Sequence, residues 1–202
     1  MKRIKMILVV MCAVILCGCA KSQEQYSKEI TDVVAEYNNG NISYDEATLE
    51  LSSLYESADS ELQAKIDEER VILDNLKGSK DAFASAQKAS SDNNYKMSIQ
   101  SYADVIAEDT NYEKAQQAIV DDGNKYLDEV HKLGETYISE DKYTKAISAY
   151  KDSKDVYDDG SADTWIADAE SQYKQSVEAK IEKCVSDGNY QTAIIDYNEL
   201  YD

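Results

Sequence analysis

Residues 142–154 read KYTKAISAYKDSK, and three other segments of the chain repeat their pattern. Those segments are SYDEATLELSSLY (43–55), NYKMSIQSYADVI (94–106) and NYQTAIIDYNELY (189–201). Each has a tyrosine at its second position, a small residue three positions after it and a large residue seven positions after it. Positions separated by three and then four residues lie on one face of an α-helix. The segments therefore predict four helices whose small central residue lets a neighbouring helix approach closely.

A turn signal and a second helical stretch precede each of these segments. The leading tyrosines are Tyr44, Tyr95, Tyr143 and Tyr190, at intervals of 51, 48 and 47 residues. Self-similarity at such a period is typical of stacked helical repeats. The patterns predict helices over residues 23–38, 44–57, 61–90, 95–108, 111–138, 143–157, 162–186 and 190–201.

Local signals refine these helices. Capping boxes predict four of the starts, at Ser22…Gln25, Ser43…Glu46, Ser60…Gln63 and Thr110…Glu113. We expect the long helices to continue through Gly78 and Gly123, although a glycine in a helix interior costs about 1 kcal/mol.

Composition and charge limit the fold and the partners. The 202 residues include no proline and only seven glycines, so little interrupts a helix and turn-bounded strands are scarce. The hydrophobic content of 43% is too high for a disordered acidic tail. The fold class predicted is all-α. The net charge of −19 repels nucleic acid, which we therefore exclude as a partner.

The first residues have the pattern of a secretory signal. Lys2, Arg3 and Lys5 precede an apolar run over residues 6–16. A membrane-spanning helix needs about 20 apolar residues, so this run is too short to span. A basic start followed by a short apolar run and small residues predicts a cleaved signal peptide, and hence a mature chain outside the cytoplasm.

Three cysteines cluster at the end of that run. Cys12 and Cys17 lie in the segment that cleavage would remove, which argues against a metal site or a disulfide there. Leu16-Cys17-Gly18-Cys19 resembles the bacterial lipobox. The resemblance implies a signal peptide over 1–18, a diacylglyceryl group with further acylation such as palmitate on Cys19, and a tether with the helix start over 19–28. It places the protein on the extracytoplasmic face of a bacterial cell membrane, held there by its N-terminal lipid.

The segment LGETYISEDKYTKAISAY (133–150) resembles the tetratricopeptide repeat (TPR). The matching positions of the two helices are Leu133, Gly134, Tyr137, Tyr143, Ala146 and Tyr150. The period here is nearer 48 than the family's 34 residues, and the family's proline is missing. The resemblance implies an α-solenoid of about four TPR-like helix pairs over 29–202, with elongated first helices.

In that family the first helices line a concave groove that binds a partner. Carried over by position, the resemblance implies partner-binding roles for Phe83, Gln87, His131, Glu135, Ile138, Glu178 and Glu182. Such a groove has an aromatic end at Phe83 and an acidic end at Glu178 and Glu182, so it would prefer a basic peptide or protein segment. The alternative is that these side chains are solvated helix surface.

The sequence contains no recognisable motif for catalysis or metal binding. DVYDDG (155–160) departs from a calcium loop because Tyr157 and Ile166 occupy ligand positions, and it predicts a turn with Ser161 as the N-cap. Cys184 stands at a packing position and predicts a small buried side chain. We expect no catalytic residues, no metal site and no cofactor, and therefore no enzyme; an envelope hydrolase has no motif in its favour.

The function expected is that of a lipid-anchored scaffold or adaptor that binds a protein or peptide partner. The alternative is a ligand-binding lipoprotein that presents a small molecule or glycan to a transporter. Most of the 16 tyrosines belong to the repeat face, and the remaining ones could stack on carbohydrate or on a peptide.

Overall fold

The computed structural model of the protein describes residues 22–201, and the regular structure in this range is entirely α-helical. The helices are α1 Gln23–Asn38, α2 Tyr44–Ser57, α3 Ser60–Ser91, α4 Tyr95–Ala103, α5 Tyr112–Ser139, α6 Tyr143–Ser153, α7 Ser161–Ser186 and α8 Tyr190–Tyr201. The predicted all-α class is confirmed for this part of the chain. The signal peptide over 1–18 and the first three tether residues, 19–21, which include Cys19, lie outside the described residues. The rest of the 19–28 segment is described, and its residues from Gln23 onwards belong to α1.

Six of the eight predicted helices agree with the structure to within one residue at each end, but α4 and α6 end early. The prediction carried α4 to residue 108, whereas the helix ends at Ala103. Val105 then leaves the helical path and is buried in a cluster with Tyr102. The prediction carried α6 to 157, whereas it ends at Ser153. In both places tertiary packing of the following residues outweighs the local helical pattern.

Both long helices continue through their glycines, as predicted for Gly78 and Gly123. The glycines of α5 allow close approach of tyrosines. A Cβ atom on Gly123 would lie 2.6 Å from the ring of Tyr157. A Cβ atom on Gly134 would lie 2.1 Å from Cζ of Tyr150. Both glycines therefore give a tyrosine ring direct access to the α5 backbone.

The first two predicted capping boxes are present. The Ser22 hydroxyl accepts a hydrogen bond from the Gln25 amide, and the Ser22 amide donates to the Gln25 side chain. Ser43 and Glu46 make the same reciprocal pair at the start of α2. These four-residue signals were sufficient to locate both helix starts.

The capping boxes predicted at Ser60 and Thr110 are wrong. Asp59 Oδ1 instead accepts from the two amides that open α3, at 3.1 and 3.0 Å. Asp109 Oδ1 accepts from the Asn111 amide at 2.9 Å, just ahead of α5. A carboxylate at a helix N-terminus accepts stronger, charge-assisted hydrogen bonds and is favoured by the helix dipole. At α3 the aspartate one residue earlier therefore caps the helix. At α5 the N-cap is Asn111, whose own side chain makes no capping hydrogen bond.

Helices α1, α3, α5 and α7 all end in the same Schellman motif. The residue after each C-cap has a positive φ of 58–75°, and these residues are Gly40, Asn93, Asp141 and Gly188. The amide of the next residue bonds to the carbonyl five residues back at 2.8–2.9 Å. This bond satisfies a carbonyl that the helix leaves free and turns the chain into the next helix. The turn signals ahead of the four tyrosines therefore correspond to one repeated structure.

Asp141→Gly should raise the free energy of unfolding by about 0.5–1 kcal/mol, because an aspartate in the left-handed region is strained and glycine is not. Glu140→Gly is the matched control. Glu140 has φ −97° in the same turn, so that change should lower stability instead. Urea unfolding followed by circular dichroism measures both changes. Equal effects at the two positions would show that the backbone conformation of Asp141 is not strained.

Tertiary contacts group the chain into two compact units, with the boundary after Lys77 and within α3. The single repeat domain expected over 29–202 spans both. In the first unit α1 packs against α2, and the apolar core includes Ile30, Leu51 and Ile66. In the second unit α4 packs on α5, α5 on α6, α6 on α7 and α7 on α8, while α5 also contacts α7.

Candidate functional site

The second unit contains three helix pairs in one sequence register. Three residues separate the long helix from the short helix in each pair: α3 from α4, α5 from α6, and α7 from α8. Residues at the same distance from the leading tyrosine of the short helix are therefore equivalent in the three pairs. The small residue three positions on is buried in all three pairs, as the sequence predicted: Ser98, Ala146 and Ala193. The tyrosine seven positions on is buried in the first two pairs and exposed in the third.

Tyr102, in the first of these pairs, lies between the helices before and after α4. Ala86 of α3 and Ala115 of α5 are buried in the same cluster. The ring of Phe83 meets that of Tyr102 edge to face, with 5.5 Å between the ring centroids. Ile119 of α5 also packs on this cluster. The following long helix thus covers the Tyr102 face of α4, and only 5% of Tyr102 remains exposed.

Tyr150, in the second pair, is covered in the same way. Its cluster includes Val130 of α5 and Ala169 of α7. Trp165 of α7 lies 5.5 Å from Tyr150 and 4.5 Å from His131, measured between ring centroids. Tyr150 is 1% exposed and is among the largest fully buried side chains of the described residues.

Tyr197, in the third pair, is 53% exposed. The described residues contain no long helix after α8 to cover it. The surface of α7 that faces α8 also differs from the equivalent surfaces of the inner pairs. Nine residues before the leading tyrosine, Ile181 stands where the inner pairs have Ala86 and Gly134. Tyr150 lies directly on Gly134, and an isoleucine side chain at the equivalent position leaves no room for the same tyrosine–backbone contact.

An apolar cleft of about 280 Å³ results between α7 and α8. We call its lining the C-terminal apolar face: Ile181, Val185, Tyr190, Ala193, Ile194 and Tyr197. Val185 is 46% exposed, Tyr190 63% and Ile194 61%. Contiguous exposed apolar side chains of this kind mark interaction sites on soluble domains, because water contact with them is unfavourable.

Acidic side chains lie on one side of this face. Glu178 occupies the position of His131 in the inner pair and is half-buried, with Lys174 at 3.9 Å. Glu182 is exposed one helical turn further on. The helical period places both carboxylates beside Val185, whereas Lys180 lies on the other side of α7. The edge of the face next to Val185 is therefore acidic.

The side chains that the TPR resemblance assigned to a groove are in varied environments. Phe83, His131 and Ile138 are half-buried and pack in the Tyr102 or Tyr150 cluster. The side chains of Gln87, Glu135 and Glu182 are exposed, and Glu178 is half-buried. Their partner-binding role stays a prediction.

Sequence reasoning missed the C-terminal apolar face, although a signal for it was present. The position nine residues before the leading tyrosine is small in two pairs and isoleucine in the third. Only the position of Tyr150 on Gly134 reveals what that difference does.

Asp109 and Asp122 are buried carboxylates, and both have structural partners. Asp122 accepts a hydrogen bond from the Ser98 hydroxyl at 2.6 Å and another from Lys125 at 2.9 Å. Burial by itself raises the pKa of Asp122, but these hydrogen bonds outweigh it and the pKa lies below its ordinary value. Asp109 accepts from Ser79 at 2.7 Å and shows the same direction of pKa for the same reasons. These groups fix α3, α4 and α5 together.

Asp122→Asn should lower the free energy of unfolding by about 1–3 kcal/mol at pH 7, because it removes the charge from buried hydrogen bonds. A carboxyl with a lowered pKa stabilises the fold above its unfolded-state pKa, near 3.8, and loses that effect as pH falls through the folded-state pKa. The difference between variant and wild type should therefore shrink below about pH 4. Urea unfolding at pH 7 and pH 2.5 measures it, and an undiminished difference at pH 2.5 would contradict the ionised pair.

The remaining candidates are structural too. The 155–160 segment forms the predicted turn, but Gly160 with φ +88° is the N-cap of α7 and the N-cap predicted at Ser161 is wrong by one residue. Cys184 is a free thiol and is half-buried, not fully buried as predicted. Among the described residues, no group of three or more metal-ligating side chains is placed to hold an ion. Within residues 22–201 no helix is both long and apolar enough to cross a membrane.

Comparison with known proteins adds no relative: no family model, curated protein or solved structure matches the chain.

Proposed function

We propose that the protein is a lipid-anchored helical-repeat scaffold that binds a partner protein on the extracytoplasmic face of a bacterial cell membrane. The partner binds the C-terminal apolar face. One observation carries this proposal: the inner pairs bury their Tyr102 and Tyr150 faces under a following helix, while the equivalent Tyr197 face is exposed. The face that two pairs bury is exposed in the third, and we assign that exposed face to the partner.

The lipid anchor rests on the lipobox resemblance. Cys19 is four residues before Gln23, where α1 begins. Four extended residues reach about 14 Å at most, so a lipid on Cys19 would hold α1 close to the membrane surface. The α-solenoid arrangement is likewise part of the proposal. Its support is the common register and the repeated Schellman turn of the long helices.

The chemistry of the cleft favours a protein partner over a small-molecule ligand. Small-molecule sites combine an apolar lining with a few convergent polar groups that orient the ligand. The polar side-chain atoms in the lining of this cleft are the hydroxyls of Tyr190 and Tyr197. Protein interfaces, in contrast, have apolar centres rich in aromatic side chains and polar rims. The apolar centre and acidic edge at α7 and α8 have that composition.

Ile194→Asp should abolish partner binding with little effect on folding, because Ile194 lines the face and is 61% exposed. Leu133→Asp is the control, since Leu133 is 45% exposed on α5, away from the cleft. Chemical cross-linking of intact cells, followed by mass spectrometry, compares both variants with wild type. A partner that cross-links equally to all three chains would remove this face from the account.

A further inference from the structure

We propose that the occupant of the C-terminal apolar face is an amphipathic α-helix of another protein, carrying a small residue, a branched aliphatic residue four positions later, and a basic residue beside Glu178. This inference rests on the proposed function and specifies the chemistry of its partner. It derives from what covers the two equivalent faces inside this chain.

The covering helices of the inner pairs share a register. Ala115 of α5 and Ala162 of α7 both lie 28 residues before the next leading tyrosine, and they are 0% and 1% exposed. Four residues later come Ile119 and Ile166, which pack against the Tyr102 and Tyr150 clusters. The small residue lets the covering helix approach, and the isoleucine one turn later fills the space beside the tyrosine. A helix that covers Tyr197 needs the same pair of residues.

The residue at the position of Trp165 in the covering helix determines which charge the partner needs there. Trp165, one residue before Ile166, stacks on His131 with 4.5 Å between ring centroids. Glu178 replaces His131 at the open face, and it is half-buried. Its side chain is 46% exposed and lies 3.9 Å from Lys174, in a loose ion pair that leaves carboxylate oxygens accessible at the edge of the face. A second cation can pair with this carboxylate, so arginine or lysine suits the position that Trp165 occupies in the inner pair.

Charge also argues against a second copy of this chain as the occupant. The net charge is −19, and both Glu178 and Glu182 lie at the edge of the face. Two copies that met through this face would bring like charges together at a partly desolvated edge, which is unfavourable. A helix with basic residues along its edge gains attraction from the same groups.

The probe is a synthetic peptide with the sequence of residues 160–174, which cover Tyr150 in the inner pair. A hydrocarbon staple between the exposed positions 167 and 171 holds it helical, because a free helix of this length is marginal in water. Two versions, Trp165→Arg and Trp165→Glu, differ only in the charge presented to Glu178. Fluorescence anisotropy of each labelled peptide is measured against the chain from Lys21 to Asp202, which contains every residue of the described fold.

The Trp165→Arg peptide should bind about fivefold tighter than the Trp165→Glu peptide at low ionic strength, and the ratio should fall as salt is added. The chain variant Glu178→Lys should reverse this preference. Ile194→Asp should abolish binding of both peptides, while the control Leu133→Asp should leave it unchanged. Sedimentation velocity of the wild-type chain without peptide should show a monomer.

Several outcomes would overturn the inference. Equal affinities of the two peptides, or a preference that Glu178→Lys does not reverse, would remove the basic residue from the partner. Failure of both stapled peptides to bind would exclude a helix in this register. A wild-type dimer that Ile194→Asp converts to a monomer would assign the face to self-association.

The peptide results and the cell results are separable. If peptide selectivity fails but Ile194→Asp still loses its cross-linked partner in cells, the docking surface stands and its occupant has different chemistry. If Ile194→Asp keeps the partner, the proposed function itself fails.

Discussion

Ala146→Asp should lower the free energy of unfolding by about 3–5 kcal/mol, enough to unfold much of the second unit at moderate temperature. Ala146 is 0% exposed and lies in one cluster with Val130, Tyr150 and Ala169. The cluster joins three helices, α5, α6 and α7, so a side chain added at this point separates all of them. An aspartate there would also carry an unpaired charge into an apolar site, which is among the costliest single changes in a protein core.

Ser148→Asp is the matched control, because Ser148 is exposed on the same helix. The control variant should unfold within about 0.5 kcal/mol of wild type. Urea and thermal unfolding followed by circular dichroism compare the three chains. If Ala146→Asp unfolds like wild type, the small residue of the repeat does not lie at a close helix contact and the repeat register is wrong.

Cys19→Ala should abolish lipid attachment and leave the protein uncleaved or unlipidated. The lipobox resemblance makes Cys19 the acceptor of the acyl chains. Each buried methylene contributes about 0.8 kcal/mol of membrane affinity, so two or three chains give stable anchoring. Without acyl chains, a cleaved chain has only its acidic protein surface, which anionic headgroups repel. Fatty-acid labelling should therefore be lost completely, and cleaved molecules should leave the detergent phase.

Metabolic labelling with a fatty acid, combined with detergent phase partitioning, measures this effect. Cys17→Ala is the control, because Leu16 before it is not the small residue that the lipobox requires at that place. Cys17→Ala should be labelled and partition like wild type. Unchanged labelling of Cys19→Ala would exclude lipidation at this residue and with it the proposed anchor.

The helical architecture was largely predictable because periodicity, turns and composition all indicated it. The turns were the most reliable signal. Asn93 and Asp141 adopt the left-handed conformation that glycine adopts at Gly40 and Gly188, so short polar residues ahead of the tyrosines were sufficient to place the ends of the long helices. The ends of α4 and α6 were not predictable locally. Val105 continues an apolar pattern but is buried in a loop.

The candidate site was less predictable, because it depends on contacts between residues far apart in the sequence. The TPR resemblance assigned Phe83 and His131 to a groove. In the structure the ring of Phe83 packs against Tyr102. The ring of His131 packs against Tyr150 and Trp165. Conversely, no motif or repeat position in the sequence analysis singled out Ile181. Its significance appears only in the structure, where a Cβ at the equivalent Gly134 would lie 2.1 Å from Cζ of Tyr150.

Site-specific photocross-linking at Ile194 in living cells tests the central claim most directly. A photoreactive amino acid replaces Ile194 in the full-length chain, and the same replacement at Leu133 is the control. The account predicts one discrete adduct from position 194 with a different protein, and none from position 133. It also predicts that the cross-linked segment of that protein is an amphipathic helix with basic residues. No adduct from position 194, or an adduct only between two copies of this chain, would contradict the claim that this face binds a partner.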